Sequence, residues 1–324
     1  MQTIIIWFLV SFVVALVVAP FIIRLLRKLK AGQSILHYVD FHSQKKGTPT
    51  MGGFIFIIPM LVAIPFIVRG NTPLTIAAIS ASIAYAALGF LDDILKIRRK
   101  ENLGLRAYQK IVVQGIIAIG ISVFYFHMNP TGTIMLPFIN NFIEIGFWIA
   151  PLTFIAVVAT TNAVNLTDGV DGLASTVSLF YLAFITAIMF LVNQIVPVAE
   201  LNSLAIIAAV TSGGLLCFLL FNTNKAKVFM GDTGSLYLGS IIAIISIFSF
   251  LGFYILFLGV MFVISALSDI IQVLYFKATG GRRVFLMAPY HHHLEKKGFS
   301  EAKIVFIYTV ITILVGALCV VSLL

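Results

Sequence analysis

Long apolar stretches alternate with short polar ones along this whole chain. Runs near residues 3–23, 51–68, 73–91, 111–127, 145–161, 173–193, 201–221, 235–251, 253–275 and 304–323 stand out. Most approach the roughly 20 apolar residues that a helix needs to cross a bilayer. They predict an all-α polytopic membrane protein of about ten transmembrane helices, forming one domain over residues 1–324. The stretch 128–144 breaks the pattern. It carries Pro130, Gly132 and Pro137 and alternates around Asn140 and Asn141, which predicts a small extracytoplasmic hairpin.

Composition agrees with a bilayer as solvent: 60% of residues are hydrophobic and 10% charged, with a mean hydropathy of +1.10, which excludes an ordinary soluble domain. The formal charge of +9 raises the question of nucleic acid. The placement of the bases answers it. With the N-terminus outside, the loops 24–50, 92–110, 162–172, 222–234 and 276–303 contain or border 20 of the 21 Lys and Arg residues, all but Arg69. That bias makes these loops cytoplasmic and both termini extracytoplasmic, so the charge reports orientation and no nucleic-acid partner is expected. Cys217 and Cys319 both lie in apolar runs and offer neither a disulfide framework nor a thiolate metal site. No basic residue precedes the first apolar run and no small-residue cleavage site precedes Arg24, so the first helix is expected to be retained.

Acids carry the candidate chemistry. The chain has only 12, and Asp92, Asp93, Asp168, Asp171 and Asp232 all fall at the cytoplasmic ends of predicted helices, where a carboxylate is costly unless paired or used. Asp92 and Asp93 point about 100° apart on a helix, so two different roles are expected. Lys96 lies within helical reach of both, where it can hold one ionised or meet an incoming phosphate; an ordinary intrahelical ion pair is the alternative. In 162–172, Asn162, Asn165, Asp168 and Asp171 recur every third position, while Gly169 and Gly172 allow close approach. Such a strip can read a base, a ribose or a sugar, or can make a polar contact between helices. In 228–235, Asp232, Thr233 and Ser235 stand with Gly231 and Gly234 at a helix start. That setting favours phosphate and its accompanying metal, although the same residues are good caps. Phe229 can stack on a base or anchor in the interface. His291, His292 and His293 sit in a basic loop with Arg282, Arg283, Lys296 and Lys297. Consecutive imidazoles cannot all face one ion, and a hard Mg²⁺ prefers oxygen, so diphosphate or sugar oxygens are their expected partners rather than Zn²⁺.

Taken together, Gly47-Thr48-Pro49-Thr50-Met51-Gly52-Gly53, Leu91-Asp92-Asp93 with Lys96, the strip 162–172, Phe229 to Ser235 and Pro289 to Glu295 closely resemble the bacterial phospho-N-acetylmuramoyl-pentapeptide transferase family, nearly end to end and in order. The His triplet separates this pattern from relatives that transfer N-acetylglucosamine phosphate. The resemblance implies transfer of phospho-MurNAc-pentapeptide from UDP-MurNAc-pentapeptide to undecaprenyl phosphate, yielding lipid I and UMP with Mg²⁺, by a multi-pass protein of the bacterial cell membrane acting on the cytoplasmic side. It also implies a homodimer. By the same resemblance Asp92, Asp93 and Asp232 form the acidic triad, with Asp232 the metal ligand. Lys96, Asn165, Asp168, Asp171 and Phe229 then lie near the uridine and diphosphate, with His291, His292 and His293 beside the donor phosphates; Asn162 opens the recognition strip, and Lys45 is a weaker candidate. The chain departs from the family in Asn224-Lys225-Ala226, where a Pro before the Ala is usual, and in the ninth run, where Ser265 replaces a usual Glu and Asp269 an apolar residue. Two mechanisms stay open: direct attack of the lipid phosphate, with Asp92 acting on it, or a phospho-enzyme formed on an Asp. A transporter is the rival class, but its polar site belongs near the bilayer midplane, whereas this chemistry lies at one interface.

Overall fold

The computed structural model describes residues 1–29, 47–68, 73–99, 104–196, 199–223 and 225–324; Lys45 and Asn224 lie outside them. Twelve α-helices occur in this part of the chain: α1 (Gln2–Lys28), α2 (Phe54–Ile67), α3 (Pro73–Arg99), α4 (Ala107–Met128), α5 (Ile149–Thr167), α6 (Leu173–Ile195), α7 (Ala199–Asn222), α8 (Gly231–Phe248), α9 (Tyr254–Leu258), α10 (Val260–Ala278), α11 (Tyr290–Lys296) and α12 (Glu301–Val321). Nine spans among the described residues are long and apolar enough to cross a membrane. This bears out the all-α polytopic architecture.

Two runs depart from the expectation of one spanning helix each. The run 51–68 yields α2, with only 14 residues and Pro59 and Pro65 inside it; at 1.5 Å per residue it is about 21 Å long, short of the roughly 30 Å hydrocarbon core. The run 253–275 divides at Gly259 into α9 and α10. A Cβ on Gly259 would meet the Ile255 carbonyl at 2.6 Å, so the backbone breaks where only hydrogen fits. The expected hairpin is present: β1 (Thr133–Leu136) pairs antiparallel with β2 (Asn141–Glu144), Thr133 opposite Glu144 and Leu136 opposite Asn141. Met135 N–H also donates to Phe250 O at 2.8 Å, tying the hairpin to the segment after α8.

The bundle is organised around α8, in which every residue from Thr233 to Phe248 is buried. It packs mainly against α3 and α5. Bilayer lipid is as apolar as Leu, so close helix approach depends on small residues at the contact. Gly89 of α3 lies against the Asp232 backbone, Gly53 against Gly234, and Gly239 of α8 against Thr161 of α5. α1, α4, α10 and α12 instead expose long apolar faces, as lipid-facing helices do.

Candidate active site

The site forms where the C-terminal end of α3, the N-terminal end of α4, the end of α5 and the start of α8 converge. Gly231 opens α8 at φ +72°, and a Cβ there would lie 2.6 Å from both Asp93 Oδ2 and Thr50 Oγ1. Only glycine fits. The free N–H groups of this helix start are met from another helix: Asp93 Oδ1 accepts from Asp232 N at 3.2 Å, and Asp93 Oδ2 accepts from Thr233 N at 2.9 Å and Thr233 Oγ1 at 2.7 Å. A carboxylate on α3 thus caps α8 in trans.

Asp92 turns elsewhere. Its Oδ1 accepts from Leu105 N at 2.7 Å, and its Oδ2 lies 2.7 Å from Lys96 Nζ and 3.3 Å from Lys110 Nζ. The adjacent acids therefore have separate surroundings, as their 100° offset requires. Asp232 completes the cluster, with Oδ2 at 2.9 Å from Lys96 Nζ and 2.5 Å from Lys110 Nζ. Its Oδ1 accepts from Asn165 Nδ2 at 2.9 Å, and Asn165 also donates to Ser235 Oγ at 2.7 Å. One carboxylate oxygen from each of Asp92, Asp93 and Asp232 lies within 4.8 Å of the other two. An all-oxygen set of this spacing suits a hard divalent cation. Counted formally, three carboxylates face two ammonium groups here.

Lys110 escapes the sequence reading because its partners lie 18 and 122 residues away. The only signal is a lysine set at the boundary where the fourth apolar run begins. The strip 162–172 divides. Asn162 donates to Gln114 Oε1 at 2.6 Å and Val158 O at 2.8 Å, so it joins α5 to α4 instead of reaching the carboxylates. Asp168 lies just past α5, where burial, then Asp232, Asp93 and Asp171 nearby, hold its carboxyl well above the usual range. Asp171 pins the loop: its Oδ2 accepts from Ala226 N at 3.0 Å, and its N–H donates to Glu301 Oε2 at 3.3 Å.

The His triplet also divides. A Cβ on Gly169 would come 2.5 Å from His291 Nε2 and 3.2 Å from His292 Nε2, so these two rings lie against the Asp168–Gly169 turn. His291 is buried, and His292 Nδ1 is 2.5 Å from Glu295 Oε2. His293 faces away, its Nδ1 accepting from Leu286 N at 3.1 Å and its ring 5.7 Å from that of Tyr290. Phe229 is half-buried; its N–H donates to Pro49 O and its carbonyl accepts from Gly52 N, both at 2.8 Å, joining the 47–53 motif to the start of α8.

Three carboxylates and two half-buried lysines at one end of an apolar bundle define a polytopic membrane protein with a polar site that could hold a cation. Residues 74–250 match the model of glycosyl transferase family 4. Over 315 residues the chain is 41% identical to the phospho-N-acetylmuramoyl-pentapeptide-transferase of Clostridium botulinum strain Alaska E43, covering 97% of this chain and 94% of that protein. The proteins of the same name from Clostridium kluyveri strain ATCC 8527 and Clostridium perfringens strain SM101 are each 41% identical, over 94% of this chain and 95% and 92% of theirs. The chain belongs to the phospho-N-acetylmuramoyl-pentapeptide-transferase family.

Proposed function

We propose that the protein transfers phospho-MurNAc-pentapeptide from UDP-MurNAc-pentapeptide to undecaprenyl phosphate in a bacterial cell membrane, giving lipid I and UMP, with the site on the cytoplasmic side. The observation that carries this reading is the convergence of Asp92, Asp93 and Asp232 with Lys96 and Lys110 at one end of the bundle, in a chain of this family. Phosphoryl transfer asks a protein mainly for positioning and charge neutralisation. In this reading a lipid phosphate oxygen attacks the phosphorus next to the sugar, the P–O bond to UMP breaks, and UMP leaves with the electron pair.

Asp232, with Asp92 and Asp93 beside it, is the carboxylate suited to hold Mg²⁺, which when bound supplies charge neutralisation at the diphosphate. Lys96 and Lys110 offset charge on the transferring phosphoryl group. Asp92 keeps both ammonium groups aimed at that position. A phosphate monoester has its second pKa near about 6 and is mostly dianionic at neutral pH, so it needs little help from a base. Both oxygens of Asp92 and both of Asp93 already have partners, which favours direct attack over a phospho-enzyme on either. Asn165, Asp168, Asp171 and Phe229 line the approach for the nucleotide, and His291 and His292 meet the donor's phosphates or sugar across Gly169.

The test is UMP release from UDP-MurNAc-pentapeptide by the purified protein in detergent with Mg²⁺ and undecaprenyl phosphate. Release that depends on both additions is expected. No release would sink the proposal, equal turnover of UDP-GlcNAc would move it to the N-acetylglucosamine class, and a sugar-phosphate adduct trapped on Asp92 or Asp93 would overturn direct attack.

A further inference from the structure

The turn after α10 carries charge that the site above does not use. Lys277 lies in the last turn of α10, and Gly280 and Gly281, at φ +66° and +117°, reverse the chain. Gly281 N–H closes the reversal on Phe276 O at 3.0 Å. Arg282 and Arg283 follow directly. All three cations are exposed, and none has a carboxylate partner among the described residues; the single side-chain hydrogen bond among them is a long one from Arg283 Nη1 to Leu286 O at 3.5 Å. Around them Phe276, Val284 and Leu286 are exposed as well, at 43%, 48% and 52%. Unpaired arginines set among exposed apolar side chains at the end of a lipid-facing helix match an amphiphile with an anionic head.

This turn is held to the active-site wall. Gln272 of α10 accepts from Val284 N and Phe285 N at 3.1 and 3.0 Å and donates to Phe285 O at 3.1 Å. The Phe285 ring packs 5.6 Å from His293 and 6.1 Å from Tyr290, and Leu286 N donates to His293 Nδ1. His293 is the neighbour of the two histidines that face Gly169. Lys96 and Lys110 are already engaged by Asp92 and Asp232, so an acceptor phosphate gains from a further cationic holding point.

We infer that Arg282 and Arg283, with Lys277 beside them, dock the phosphate monoester head of the polyprenyl acceptor before it reaches the carboxylate cluster. This rests on the proposed function. The occupant is a monoester because a dianion with three terminal oxygens can accept from two guanidinium forks, whereas the diester of a bulk phospholipid offers one charge and two oxygens.

The experiment measures steady-state kinetics of R282Q/R283Q and R282K/R283K against wild type, in neutral-lipid nanodiscs, varying each substrate in turn and repeating the series with added phosphatidylglycerol. For the Gln pair, KM for undecaprenyl phosphate should rise about tenfold or more, the scale of losing charge-assisted contacts, with kcat and the donor KM within about twofold. The Lys pair should recover part of the loss, which an unfolded variant would not. An unchanged lipid KM, an equal rise in the donor KM, or phosphatidylglycerol competing as well as the monoester would each overturn the inference. Absence of wild-type turnover would sink the proposed function instead.

Discussion

Asp93→Asn tests whether this acid is a scaffold for α8 or a participant in chemistry. The carboxylate is 2% exposed and accepts three hydrogen bonds from Asp232 and Thr233. An asparagine can turn its oxygen toward Thr233 and keep two of them, now without charge assistance, at a loss of roughly 0.5–1 kcal/mol each. Its amide then faces Asp232 N–H, another donor, and that buried group loses its partner at about 1–3 kcal/mol. Weaker interaction with the positive end of α8 adds about 0.3–1 kcal/mol. The sum is about 2–6 kcal/mol, and at about 2 °C per kcal/mol for a chain of this size the thermal midpoint should fall by about 4–12 °C. Activity should fall too, because Asp232 N–H anchors the residue that holds both lysines. Thermal unfolding in detergent, followed by intrinsic fluorescence, reads the first quantity and UMP release the second. A variant that loses activity while its midpoint stays within about 1 °C of wild type would refute the capping argument and return Asp93 to the role of nucleophile.

Other perturbations follow from the same contacts. Gly89→Ala puts a methyl group into the Asp232 carbonyl; α3 and α8 must separate, at about 1–3 kcal/mol, with loss of UMP release, which activity and thermal midpoint together detect. Asn162→Ala should lower the midpoint through its lost bond to Gln114 while leaving the donor KM within about twofold, whereas Asn165→Ala, which frees Asp232 Oδ1, should lower kcat by about tenfold or more. Burial, then Lys297, hold the His293 imidazole below its ordinary value, so it is neutral in the folded protein. The unfolded chain binds the proton more readily, so this group's contribution is full above about pH 6.5 and is lost as pH falls through the lower folded value. Hydrogen exchange at the Leu286 amide, corrected for intrinsic rate, should lose protection over that fall, and His293→Asn, which keeps an acceptor that does not titrate, should remove the dependence.

The sequence makes the helices legible because a spanning segment must satisfy its own backbone within one local apolar run. It hides what depends on partners. The break at Gly259 lies inside a continuous apolar run, and no local pattern distinguishes it from a spanning helix. Asp92, Asp93 and Lys96 are legible as a group because helical spacing brings them together within one turn. Lys110 is not, since it meets Asp232 across 122 positions. A period of three in the strip 162–172 suggests one face, but a helix of 3.6 residues per turn rotates about 60° between Asn162 and Asn165. That rotation points one at α4 and the other at Asp232. The histidines part for the same reason, with His291 and His292 against Gly169 and His293 against Leu286.

The cluster also constrains how its ligands bind. Asp232 Oδ2 is held by both Lys96 and Lys110, the two cations that the proposed function assigns to the transferring phosphate. A diphosphate that draws the ammonium groups onto its own oxygens leaves Asp232 less well compensated, in a pocket whose other two acids already have fixed partners. Under the proposed function, a divalent cation held at Asp232 would restore that balance and would free the lysines from Asp232 to meet the diphosphate. Each ligand lowers the cost of binding the other, and linkage requires that coupling to be equal in both directions. If the proposed function holds, the opposed charges would couple the two ligands, so donor affinity should rise with Mg²⁺ by the same factor by which Mg²⁺ affinity rises with donor. Calorimetric titrations in both orders measure the two factors, and independent binding would refute the argument.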